Sequence, residues 1–283
     1  MKKIILRSPP DQENEVILRG KDFHYLVHVL RVKPGSVFKA SFPDSSESNL
    51  KVISVSNDSL RAECSGQRNA AFGSSMLQPV YLFQALPKAQ KMDLIVRQAA
   101  ETGVTQIVPF YSEFSQIKNR AGQSDSGHIG KKSEKVSRWE RIIREARQQS
   151  DSVIPTSIIE PCEIDELFEI WRKLGSESER GLGIFLHQET VESGTGAKTG
   201  FNSFHECLCN NPGFVVLAIG PEGGFSPVEV KKFTDYGFNP LKIGDNILRT
   251  ETAALYGIAA IRTLLTEIDS WLPRKDRNRS ENG

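Results

Sequence analysis

Ala218-Ile219-Gly220-Pro221-Glu222-Gly223-Gly224-Phe225-Ser226 and, one helix and one strand later, Leu241-Lys242-Ile243-Gly244-Asp245-Asn246-Ile247-Leu248-Arg249-Thr250-Glu251-Thr252-Ala253 carry most of the information in this chain. Each reads as a strand that ends in a glycine-bearing loop and then enters a helix. Ahead of the first loop, Phe214 to Ile219 is continuously apolar, the mark of a strand buried on both faces. Gly220, Gly223 and Gly224 open backbone conformations closed to other residues and let the main chain approach a ligand. Ser226 is the expected N-cap, Pro227 the first helical residue, and Glu229 the partner in a capping box; Gly237 ends that helix after Tyr236. The second run repeats the plan with a short strand over Pro240–Ile243, a turn at Gly244-Asp245-Asn246 and a helix opening at Thr250-Glu251-Thr252. Two such loops leaving one sheet lie at its carboxyl edge, where open α/β sheets bind ligands. Neither run is a dinucleotide fingerprint or a P-loop: there is no G-x-G-x-x-G at a first strand and no G-K-[ST].

Working outward, strands over 80–85, 104–111 and 183–187 alternate with amphipathic helices, and the β-α-β-α order across 79–268 argues an α/β domain with a largely parallel sheet. The helix that ends at Thr102 has Met92, Ile95, Val96, Ala99 and Ala100 on one stripe. Its successors have Trp139, Ile142, Ile143 and Ala146, then Ile164, Leu167, Phe168 and Trp171, and in the last helix Leu255, Ile258, Ala259 and Ile261. Residues 1–72 read as a small β-rich module. It has strands near 4–6, 16–18, 37–42, 50–55 and 60–64, a short helix from Phe23 to Leu30, and turns at Pro34-Gly35 and Pro43-Asp44. The polar stretch 65–78 reads as the linker, 119–132 and 190–203 as exposed loops, and 271–283 as a basic tail.

The formal net charge of +1 conceals a division: residues 1–150 carry a net of +8 and residues 151–283 a net of −7. A polyanionic partner on the basic side explains this, as does an ordinary difference between solvated helix faces. Arg138, Arg141, Arg144 and Arg147 form an expected basic ridge, a candidate phosphate contact if it adjoins a ligand loop. No stretch is long and apolar enough to span a membrane, and the apolar run at Ile4-Ile5-Leu6 is too short for a signal-peptide core. The four cysteines are scattered, and Cys207 and Cys209 alone make poor zinc spacing; half-buried thiols of a cytoplasmic protein, with no metal, are the expectation. His24 and His28, one helical turn apart, lack an obvious third ligand.

The two quoted runs resemble the last two motifs of the SPOUT RNA methyltransferases and, within them, the RsmE family, which methylates N3 of a uridine in small-subunit ribosomal RNA. Leu86-Pro87-Lys88, Glu101-Thr102-Gly103-Val104 and His28-Val29-Leu30-Arg31 before Pro34-Gly35 extend the likeness over nearly the whole chain. The resemblance implies an α/β SPOUT-type domain over 79–270 with a parallel sheet and a C-terminal trefoil knot, preceded by a PUA-like β-barrel over 1–72. It implies S-adenosylmethionine as cofactor, 16S rRNA of the small ribosomal subunit as partner, and a homodimer.

Carried over by position, the cofactor slot comprises Leu186, His187, Ile219, Gly220, Pro221, Glu222, Gly223, Gly224, Ile243, Gly244, Ile247, Leu248 and Thr252. His28, Arg31, Lys88, Lys91, Lys118, Arg144 and Arg147 become candidates for RNA contact, and Arg249 and Glu251 for catalysis. Glu251 or Glu222 is the candidate base for the N3 proton, and Arg249 the stabiliser of charge on the uracil carbonyls. The plainer alternatives are that Glu251 caps the last helix and that Arg249 pairs with Glu222 or Glu251. Two departures stand out: Ser152 occupies the place of a family arginine, and Phe42-Pro43-Asp44 that of Phe-Asp-Gly. They keep open a tRNA or another rRNA base as target. A non-catalytic RNA-binding assembly factor of the same fold is the third reading.

Overall fold

The structure is a computed structural model that describes residues 3–271 apart from 7–8, 13, 43–45, 71–77, 89, 116–132, 178–179, 189–202 and 209–210. Lys118, the turn at Pro43-Asp44, the loop expected over 119–132, all but Ser203 of the loop expected over 190–203, and all but Trp271 of the tail expected over 271–283 lie outside the described residues. The chain forms two compact units, Met1–Met76 with Arg144–Pro155, and Leu77–Ile143 with Thr156–Gly283.

In the first unit β1 (Lys3–Ile5) is followed by β2 (Glu15–Arg19), α1 (Gly20–His24) with a π-helical turn at Tyr25–Val29, β3 (Val37–Ser41), β4 (Ser46–Val55) and β5 (Ser59–Ala70). They form a five-stranded sheet in the order β1-β3-β4-β5-β2, antiparallel except where β1 meets β3. Period-two alternation sends Val16, Leu18, Phe38, Ala40, Leu50, Val52, Leu60 and Ala62 inward, where they pack with Phe23, Leu26 and Phe42. The expected strands are present, but Ser65–Ala70, read as linker, continues β5 and pairs with the start of β4. That stretch has no apolar alternation, and its pairing is made by the main chain, which leaves no mark on side-chain pattern.

The second unit contains β6 (Val80–Ala85), α2 (Lys91–Glu101), β7 (Gln106–Phe110), α3 (Glu134–Ser150), β8 (Ser157–Ile158), α4 (Ile164–Glu177), β9 (Gly181–Leu186), α5 (Phe204–Leu208), β10 (Phe214–Ile219), α6 (Pro227–Asp235), β11 (Asn239–Leu241) and α7 (Thr250–Trp271). From Arg144 onward α3 counts with the first unit. Six parallel strands run in the order β11-β9-β10-β6-β7-β8. All six residues of β10 are buried, as its apolar run requires. Only the short β8 and α5 were not anticipated; two and five residues are too few to show a period.

One face of the sheet carries an aromatic core in which Phe110, Phe168, Phe185, Phe225, Phe233 and Phe238 meet. Phe225, at the end of the first glycine loop, lies 4.9 Å from Phe233 of α6, so the loop is anchored in this core. On the opposite face α7 lies over β6 and β10 and against α2. The buried stripes of α2 and α3 are those expected, and in α4 Leu167 and Phe168 are buried while Ile164 and Trp171 are half-buried against the same core. In α7 the stripe is Ala254, Ile258, Ile261 and Leu265; Leu255 is half-buried and Ala259 exposed. Each sits about 100° round the helix from a buried neighbour, so a stripe drawn one residue out of phase swings toward solvent.

Arg147 departs from the expected ridge. It is 7% exposed, and its Nε and Nη2 have no hydrogen-bond partner among the described residues. Burial pushes its guanidinium below the usual value. It shares the buried side of α3 with Ile143 and Ala146, whereas Arg144 is half-buried and Arg141 exposed.

Candidate active site

Because β9, β10 and β11 are parallel neighbours, the loops after them emerge side by side at one edge of the sheet. They line an open cleft of about 1410 Å3. Leu186 and His187 come from the end of β9. Ile219, Gly220, Pro221, Glu222, Gly223 and Gly224 follow β10, and Ile243, Gly244, Ile247, Leu248 and Arg249 follow β11. Lys91, Val230 of α6, and Thr250 and Ala253 of α7 complete the wall. Gly224 has φ +72°, which favours glycine, and its N–H closes a turn onto Pro221 O at 2.9 Å. The loop then ends at Ser226, whose hydroxyl accepts from Glu229 N–H in the expected capping box.

Glu229 reaches further than a cap. Its carboxylate accepts from Ser226 N–H at 2.9 Å, Glu113 N–H at 2.9 Å and Ser112 Oγ–H at 3.1 Å. It thereby ties the turn after β7 to the end of the glycine loop. A second buried link comes from Thr250, whose hydroxyl donates to Gly220 O at 2.7 Å and accepts from Gln84 Nε2–H at 3.2 Å. Gln84, fully buried in β6, thus joins the sheet, the first glycine loop and the start of α7. Sequence reasoning passed over Gln84; a lone amide inside the apolar run Val80–Ala85 was the available signal.

Thr252 does not reach the cleft. It is exposed and lies about 200° round α7 from Thr250, whereas Thr250 and Ala253, three apart, share the cleft-facing side.

Charge is concentrated at the mouth of the first loop. Lys91 Nζ lies 2.9 Å from Glu222 Oε1 and 3.4 Å from Glu251 Oε2. Glu222 also accepts from the backbone N–H of Lys88, at 3.2 and 3.4 Å to its two oxygens. Its hydrogen bond to Glu222 is the main force that raises the Lys91 ammonium above its usual value, against a smaller lowering by burial. Burial by itself pushes Glu222 up. The Lys91 hydrogen bond, the backbone donors and the Lys91 charge outweigh it and hold the carboxyl below its usual range. Among the described residues, then, the partner of both carboxylates is Lys91 rather than Arg249. Arg249 lines the cleft and is exposed, and its carbonyl accepts the first α7 bond from Ala253 N–H at 2.8 Å.

Of the other expected RNA contacts, Lys88 is exposed beside the cleft mouth, and His28 and Arg31 are exposed in the first unit. His28 stacks edge-to-face on His24 at 4.7 Å, and Arg31 has a left-handed backbone, φ +53°.

Residues 74–262 match the family model described as an RNA methyltransferase domain, about two thirds of the chain. The chain belongs to this RNA methyltransferase family. Residues 18–63 match the companion model, an RNA methyltransferase PUA domain. Among relatives of the family member described here is the ribosomal RNA small subunit methyltransferase E of Bacillus subtilis, 26% identical over 86% of this chain and 88% of the relative. The protein of the same name from Buchnera aphidicola subsp. Schizaphis graminum is 28% identical over 89% and 92%. A probable rRNA-methyltransferase from Porphyromonas gingivalis shares the fold, with a TM-score of 0.71, 22% identity and coverage of 94% and 99%. So does a ribosomal RNA small subunit methyltransferase E from Neisseria gonorrhoeae bound to S-adenosyl methionine, with a TM-score of 0.68, 23% identity and coverage of 93% and 98%.

Proposed function

We propose that the chain transfers the methyl group of S-adenosylmethionine to N3 of a uridine in 16S rRNA of the small ribosomal subunit. In this reading it works as a homodimer whose C-terminal part is threaded in a trefoil knot. The observation that carries the reading is the cleft at the carboxyl ends of three adjacent parallel strands, with the Glu222–Lys91–Glu251 cluster at its mouth. The names of the relatives from Bacillus and Buchnera support the rRNA target. Large apolar side chains exposed on the site's own elements, Val228, Ile247 and Tyr256, support a second subunit; sedimentation at the monomer mass would argue against it.

The residues present fit the cofactor. Leu186, Ile219, Ile243 and Leu248 offer apolar walls to a flat heterocycle, and main-chain groups of the two glycine loops offer fixed donors and acceptors to its edge. A cleft of about 1410 Å3 exceeds the roughly 300–1,000 Å3 of most small-ligand pockets, ample for the whole cofactor. When bound, S-adenosylmethionine supplies an electrophilic methyl group on a sulfonium. The chain's own residues must then align uracil N3 and receive its proton. Glu222 lines the cleft and is held ionised, ready to accept a hydrogen bond from N3–H. Glu251 adjoins the cleft through Lys91, and in this reading it helps to hold that ammonium, 3.4 Å away. A carboxylate held this low is a weak base, so transfer also needs a cation near the uracil oxygens; in this reading that cation is Arg249, which lines the cleft and among the described residues pairs with no carboxylate.

Two experiments test the reading. In a calorimetric titration the protein binds S-adenosylmethionine, and Thr250→Val, which takes the hydroxyl donor from the Gly220 carbonyl and the acceptor from one of the two Gln84 N–H groups, weakens binding roughly tenfold. Absence of binding to the unaltered protein contradicts the reading. Lys91→Met removes the hydrogen bond and the charge of Lys91 and leaves burial, which raises Glu222, opposed by the backbone donors alone, so the Glu222 carboxyl rises from its lowered value. Since an acid with a lowered pKa keeps its charge until pH falls below the ordinary carboxylate range, losing the lowering moves the acid limb of kcat/KM to higher pH. An unmoved acid limb in Lys91→Met would remove Glu222 from the mechanism.

A further inference from the structure

Beside the cleft is a separate recess of about 420 Å3, lined among the described residues by Lys88, Phe114, Glu222 and Gly223. Glu222 and Gly223 belong to the walls of both spaces. Phe114 is 46% exposed, which is unusual for a ring on a turn that is otherwise pinned. Ser115 Oγ donates to Leu86 O at 3.0 Å, Ser115 N–H to Ser112 O at 2.9 Å, and Glu113 N–H to the buried Glu229. The turn is therefore held at both ends while the ring stands outward. Gly223 faces it directly: a Cβ at that position would lie 3.0 Å from Phe114 Cβ and 3.4 Å from its ring Cγ. Any side chain at 223 would crowd the ring, and glycine leaves its surroundings open.

Taken together, the recess offers an aromatic face, a carboxylate that accepts hydrogen bonds, and the exposed cation of Lys88. A flat neutral heterocycle with an N–H donor, carried on a polyanionic strand, matches all three. Unstacked RNA bases are held in this manner, stacked on aromatic rings with their edges hydrogen-bonded. We propose that this recess receives the target pyrimidine after it leaves its stack, with Phe114 as the stacking platform, Glu222 at the N3–H edge and Lys88 toward the backbone phosphate. The inference rests on the methyltransferase reading for the role of the base, but not for its binding.

The test pairs a binding readout with a kinetic one. RNA oligonucleotides with a single 5-iodouridine are irradiated with the full-length protein, and the crosslinked peptide is identified by mass. A crosslink on the peptide that contains Phe114, lost in Phe114→Ala, is the expected result; a crosslink elsewhere, or none, overturns the proposal whether or not methyl transfer is seen. On unmodified small ribosomal subunits, Phe114→Ala is expected to lower kcat/KM about 10- to 100-fold, with cofactor affinity unchanged. Phe114→Leu, which keeps apolar bulk but has no π face, stays low, and Phe114→Tyr restores most of the loss. Full activity in Phe114→Leu would replace stacking by simple filling and sink the proposal. Failure of the unaltered protein to transfer methyl, with the Phe114 crosslink present, would instead contradict the methyltransferase reading alone.

Discussion

Arg249→Ala is expected to lower methyl transfer about 10²- to 10³-fold while S-adenosylmethionine affinity stays within about threefold. The argument is electrostatic and positional. Removing the N3 proton spreads negative charge onto the uracil carbonyls, and a cation placed where that charge develops acts on the transition state more than on the ground state. Arg249 lines the cleft, is exposed, and lies one residue before α7, outside the Lys91–Glu222–Glu251 cluster. Among the described residues its side chain pairs with no carboxylate, so its removal strands no buried partner there and is expected to leave the fold intact. Arg249→Lys keeps the charge but not the planar fork, and an intermediate rate is expected. Titration calorimetry beside single-turnover transfer checks the split. Equal losses in cofactor binding and in rate would assign Arg249 to the cofactor slot instead.

The second large effect is on stability. Glu229→Ala removes a buried carboxylate that accepts from Ser226 N–H, Glu113 N–H and Ser112 Oγ–H. Each stranded buried donor costs about 1–3 kcal/mol, so a total near 4 kcal/mol is expected. At the size of this chain that lowers Tm by about 8 °C or more. The glycine loop loses its anchor at the same time, so cofactor affinity falls with stability, whereas Glu229→Gln, similar in shape, loses less of both. Urea denaturation of the two variants decides it; a loss under about 1 kcal/mol for Glu229→Ala would mean that the loop is held by the Phe225 packing alone.

Much of this site was legible because its makers are local. Ser226, Pro227 and Glu229 declare a helix start within four residues, and Phe214–Ile219 declares a doubly covered strand without a partner being known. What stayed hidden is what depends on neighbours distant in sequence. Glu229 looked like a cap and is also the clamp for a turn more than a hundred residues earlier. Lys91 looked like a surface contact for RNA because its own helix says only that it is polar; the two carboxylates that claim it come from the loop after β10 and from the first turn of α7. Thr250 and Thr252 differ only in helical phase, which a three-residue motif at a helix start does not fix. Arg147 shows the same limit, since arginine at that spacing predicts a solvated ridge and the structure buries it.

The most direct measurement supplies the protein with labelled S-adenosylmethionine and small ribosomal subunits that lack the modification, then digests the RNA and identifies the labelled nucleoside by mass and retention time. The account predicts N3-methyluridine, formed about 10²- to 10³-fold more slowly when Arg249→Ala replaces the unaltered protein. Label in any other nucleoside, or none despite measured cofactor binding, would contradict it.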